Sequence, residues 1–164
     1  MKVAMNGVFV AIFMAIVSAA ATAAPPTLEI SGNLSHFTDT AKKSYKMSEA
    51  EFLSLPQSTI KTGTNWTPVS RFTGVKITDL LDAVGAKGDT VEFRTLDDYT
   101  VQLPIAEFRK YGVILARYID GKPLDPSKWG PYFVIYPKDD FPAELNVPTT
   151  EAKFIWQVTR LIVR

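Results

Sequence analysis

No cysteine occurs anywhere in the sequence, and His36 is the only histidine. Without cysteine no disulfide can staple the fold. Zinc, copper and haem sites built from thiolate or clustered imidazole ligands are excluded as well. A Ser-His-Asp triad would have to use His36, which sits in a polar stretch, and no serine lies in a G-x-S-x-G setting. His36 is therefore read as a surface residue. Walker A and G-x-G-x-x-G loops are also missing, so nucleotide binding has no support. An excess of either charge is absent too, with 18 basic against 17 acidic side chains. A neutral domain exerts no long-range pull on phosphate backbones, and nucleic acid is not expected as a partner.

Long apolar runs are confined to the N-terminus. Lys2 is followed by an almost wholly apolar stretch from Val8 to Ala21, then by Ala21-Thr22-Ala23 and Pro25-Pro26. About 14 apolar residues fall short of the about 20 that a membrane span needs. The small-x-small triplet fits a leader-peptidase site. The reading is a cleaved export signal over residues 1–23, no permanent membrane anchor, and a periplasmic or secreted domain over 24–164. Losing Lys2 with the leader leaves 17 basic against 17 acidic groups. The remaining chain of about 140 residues suffices for one domain with a core of its own.

What is present reads as short strands alternating with very short helices. Thr27–Ser31 alternates apolar and polar and stops at Gly32-Asn33. Ser48 and Glu51 form a capping box ahead of Phe52, Leu53 and Leu55, and Pro56 ends that helix. A strand is expected over Ser58–Thr64 and a loop over Asn65–Gly74, where Pro68 and Gly74 act as breakers. Ile77, Leu80, Leu81 and Val84 have helical spacing, with Gly85 at the C-terminal cap. Strands over Thr90–Leu96 and Tyr99–Leu103 flank an Asp97-Asp98 turn. A helical turn follows from Pro104, then strands over Val113–Ile119, Tyr132–Tyr136 and Phe154–Val163. Hairpins outnumber helical crossovers, which gives an α+β fold with a mixed, mostly antiparallel sheet. The pairs Asp97-Asp98 and Asp139-Asp140 are read as turn chemistry. Trp156 is expected in the core, while Trp66 and Trp129, in loops, are candidates for a pocket.

In their order, Trp66, Phe72-Thr73-Gly74-Val75, Asp79 to Gly85, Asp97-Asp98-Tyr99, Leu103-Pro104, Asp120 to Leu124, Gly130-Pro131 and Tyr136-Pro137 resemble the molybdopterin-binding domain of the sulfite oxidase family. That family includes the periplasmic methionine sulfoxide reductase catalytic subunit. The resemblance spans roughly residues 58–164 and implies a mixed α+β fold with a pterin pocket. It also implies a cysteine thiolate on molybdenum, placed ahead of the conserved aromatic run. Counting back from Phe72, with Trp66 fixing the register, puts Thr62 at that position. The family's P-x-R-L-x-x-P arginine falls on Phe133, and in its closing K-x-x-K motif Lys153 matches the first lysine while Trp156 takes the second. A hydroxyl is a poor substitute for a soft thiolate, and two cations that would face the cofactor phosphate are gone. Arg71, Arg117 and Lys138 remain as other cations.

Two readings follow. In the first, the domain is a non-catalytic relative with no cofactor, no metal ligands and no catalytic residues. A mouth lined by Thr62, Thr64, Trp66, Arg71, Asp98, Tyr99, Trp129 and Tyr132 would take a small molecule or dock on the periplasmic face of a membrane receptor such as a sensor kinase or cyclase. In the second, it is a molybdopterin-dependent oxidoreductase whose metal is held by the pterin dithiolene alone. The leader argues for the first, since a cofactor-loaded enzyme would be exported folded on paired arginines and only Lys2 is basic here.

Overall fold

The computed structural model describes residues 24–164, so the expected leader lies outside the described residues. The chain builds two five-stranded sheets, not the single sheet that the strand count invites. The first sheet holds β1 (Thr27–Gly32), β2 (Ser44–Ser48), β5 (Thr90–Thr95), β6 (Thr100–Pro104) and β10 (Val158–Val163), in the order β2-β1-β10-β5-β6. Its first and last strands in sequence meet in parallel, with Ile30 opposite Leu161. Every other pairing in the sheet is antiparallel. The second sheet runs β3 (Gln57–Thr64), β4 (Thr67–Lys76), β7 (Ile114–Ile119) and β8 (Lys122–Pro123), with β9 (Phe133–Ile135) also paired to β7. It is antiparallel throughout. The α+β, mostly antiparallel class expected from the sequence is the one observed.

The helices are short and serve as connectors. Helix α1 (Glu49–Ser54) starts on the expected capping box: the Ser48 hydroxyl accepts from the Glu51 N–H, and the Ser48 N–H donates to the Glu51 carboxylate at 2.8 Å. Helix α2 (Ile77–Ala83) buries Ile77, Leu80 and Leu81. Gly85 follows it at φ +60°, a left-handed conformation that costs glycine little. Helix α3 (Ile105–Tyr111) packs beside α2 and sets Phe108 edge-on to Phe93 at 5.9 Å. Two single-turn helices, α4 (Pro142–Leu145) and α5 (Pro148–Glu151), precede the last strand. Among the described residues no helix is long and apolar enough to cross a membrane.

Two expectations are corrected. The segment read as a loop from Asn65 to Gly74 is mostly strand β4. Pro68 lies where the β3–β4 register shifts and has no ladder partner, so its missing N–H breaks nothing. Gly74 sits inside the strand because β7 approaches closely there: a Cβ would stand 2.0 Å from the Leu115 carbonyl oxygen. The last strand begins only at Val158, since Gln157 takes φ 55° and turns Phe154–Trp156 off the ladder.

Candidate functional site

Three connections meet at one end of the fold and enclose a cleft. The first is the hairpin tip between β3 and β4. There the Thr64 hydroxyl oxygen accepts from the Trp66 and Thr67 N–H groups, each at 3.1 Å, and exchanges a hydrogen bond with the Thr67 hydroxyl at 3.0 Å. This local closure leaves the Trp66 side chain outside the core, 42% exposed. The tip is tied down by Glu151, which accepts from the Asn65 N–H at 3.1 Å and pairs with Lys138 through its other oxygen.

The second connection is the β5–β6 turn. One oxygen of Asp97 accepts from the Thr95 hydroxyl and from the Tyr99 N–H, and these two donors hold its carboxyl below the usual aspartate range. The turn passes through Asp98 at φ 61°, and Tyr99 leaves it 60% exposed. The third is the bend between α5 and β10, anchored by the Val134 N–H on the Ile155 carbonyl at 2.9 Å and the Gln157 N–H on the Trp129 carbonyl at 3.1 Å.

Between these segments lies a cleft of about 360 Å³. Its walls are aromatic in Trp66, Tyr99, Phe154 and Trp156, and aliphatic in Ala152 and Ile155. Its polar groups are Thr95 and Asp97, and among the described residues no basic side chain lines it. Trp129 stands behind Trp156, edge to face at 5.9 Å, and stacks on Phe133 at 6.2 Å.

Of the residues expected at a mouth, Trp66 and Tyr99 line this cleft, Thr64 shapes its rim and Trp129 backs one wall. The others go elsewhere. Thr62 is fully buried in β3, and its hydroxyl makes one long bond, to the Gly63 carbonyl at 3.4 Å. Arg71 is exposed along β4, where its N–H donates to Asp120 at 2.9 Å. Asp98 pairs with Arg160 at 2.8 Å, in a separate polar depression with Glu29 and Lys46. Tyr132 is not in a loop at the mouth but fully buried, its ring 4.9 Å from that of Phe52. Tyr132 immediately precedes β9, in a stretch buried on both faces, and it bridges to Val158 of the last strand. Burial raises the Tyr132 phenol well above its ordinary range. Trp156, expected in the core, is half-buried at the cleft. Asp97 was read as a turn former, and Thr95, Phe154 and Ile155 only as strand residues.

The family described as "Oxidoreductase molybdopterin binding domain" matches residues 32–139. The chain belongs to that family. The matched range begins well before residue 58 and ends before Lys153 and Trp156. Among solved structures, the sulfane dehydrogenase SoxCD from Paracoccus pantotrophus shares the fold at a TM-score of 0.60 and 16% identity. The alignment covers 84% of this chain and 38% of that one. Comparison with curated protein sequences finds no match.

Several residues of this oxidoreductase molybdopterin-binding domain depart from the donor set that the sequence resemblance implies for a molybdenum cofactor. No cysteine exists to supply a thiolate, and the Thr62 oxygen is buried and turned to a neighbouring carbonyl. Phe133 is buried edge-on to Phe72 at 5.8 Å. Lys153, which the sequence resemblance sets against the first lysine of the closing motif, is committed to both oxygens of Glu107 at 2.8 and 2.9 Å. A cofactor phosphate in the cleft would meet the Asp97 carboxylate and no free cation.

Proposed function

We propose that the mature domain is exported and binds a small ligand in the aromatic cleft, without molybdenum chemistry of its own. Export is supported by the apolar run from Val8 and the Ala21-Thr22-Ala23 triplet. The observation that carries the rest is the lining of the cleft. It has aromatic walls, one carboxylate and no cation, in a family whose cofactor is anionic. A concave, mostly apolar pocket with a few converging polar groups is the usual form of a small-molecule site. Exposed Trp66 and Tyr99 on adjacent loops, held by hydrogen bonds at their bases, leave that form little work to do on binding. Family membership favours a second reading, an oxidoreductase that retains the pterin, and the lining of the cleft weighs against it.

The test is elemental analysis for molybdenum, with pterin fluorescence, on protein expressed in a host that makes the cofactor. Neither should be found above trace. Near-stoichiometric molybdenum would overturn the proposal and restore the oxidoreductase reading.

A further inference from the structure

Aromatic rings present a negative quadrupole on their faces, and they attract cations most strongly where a carboxylate adds its charge and water is partly excluded. The cleft combines these elements. Trp66, Tyr99 and Trp156 come from three different segments and line one cleft. Trp156 is held in place by Trp129 edge-on at 5.9 Å, and Phe154 by Tyr136 at 6.2 Å. The Phe154 ring already carries one cation, with the Lys138 ammonium 5.8 Å from its centroid. That charge is balanced by Glu151 and does not line the cleft. Asp97 uses a single oxygen for its hydrogen bonds from Thr95 and Tyr99, and its other oxygen has no partner among the described residues. The nearby Arg160 is paired with Asp98, and Lys153 with Glu107.

Resting on the small-ligand reading above, we infer that the cleft selects organic cations, of the quaternary ammonium class, through the Trp66, Tyr99 and Trp156 rings and the Asp97 carboxylate.

The experiment titrates the mature protein with choline and with its uncharged isostere 3,3-dimethylbutan-1-ol, following tryptophan fluorescence and calorimetric heat. Choline should bind about tenfold more tightly than the alcohol. Asp97→Asn, which keeps the acceptor for Thr95 and Tyr99, should weaken choline about fivefold and leave the alcohol unchanged. Trp66→Leu, apolar without a π face, should weaken choline about threefold or more. Equal affinity for the two probes would overturn the cation inference and leave an apolar-ligand site. Absence of binding by both would overturn it together with the small-ligand reading.

Discussion

Asp97 shows how a turn residue becomes a site residue. The Thr95 hydroxyl and then the Tyr99 N–H lower its pKa by stabilising the charged form. Its folded value lies below that of the unfolded chain, near about 3.9. The contact therefore stabilises the fold above that pH, and its contribution is lost as pH falls through the folded value. Side-chain carboxyl titration by NMR should place the Asp97 midpoint below the ordinary range, and Thr95→Val should raise it. A wild-type midpoint at or above the ordinary value would contradict the geometry. The tryptophans divide in the same way. Trp66 stands on a hairpin tip at 42% exposure. Trp66→Ala should shift stability by less than about 0.5 kcal/mol. Trp129 stacks on Phe133 and buttresses Trp156. Trp129→Ala should cost about 2 kcal/mol in chemical denaturation, less than a fully buried ring. Similar losses at both positions would mean that the cleft wall is core. Trp66 and Tyr99 were legible as site residues because a bulky aromatic beside turn formers has nowhere to be buried locally. Tyr132 and Thr62 were not, because their burial is set by strands distant in sequence, which periodicity alone does not place.

Among the elements, those with a local cause were the readable ones. The capping box, the turn at Asp97-Asp98 and the left-handed Gly85 each follow from a few adjacent residues, and each is found. Strand β4 was hidden because Pro68 and Gly74 look like breakers when tertiary neighbours are unknown. Their roles depend on a register shift with β3 and on the approach of β7, both long-range. The same reasoning makes Gly74 the most sensitive glycine of the second sheet. Gly74→Ala should destabilise the fold by about 3 kcal/mol, because relieving a 2.0 Å contact with backbone moves a ladder and not merely a side chain. Equilibrium denaturation measures this, and a loss under about 0.5 kcal/mol would mean that β4 and β7 stand further apart than described. Helices α4 and α5 escaped notice because each is one turn long, too short for a periodic pattern.

For the molecule as a whole, fold and chemistry separate. The family's motifs were legible because their order survives along the chain, and the match over residues 32–139 contains the run from Trp66 to Pro137. The positions that the sequence resemblance would assign to a molybdenum cofactor hold a buried threonine, a buried phenylalanine and a cleft tryptophan. Fold alone does not decide activity, since the site does. The result is a chain of nearly balanced charge with a cleft lined by aromatic faces and one carboxylate. The most direct test of that account is native mass spectrometry of the protein isolated from the cells that make it. The account predicts a chain starting at Ala24 that carries no molybdenum or pterin. A mass that includes a molybdenum-pterin adduct, or the uncut leader, would contradict it.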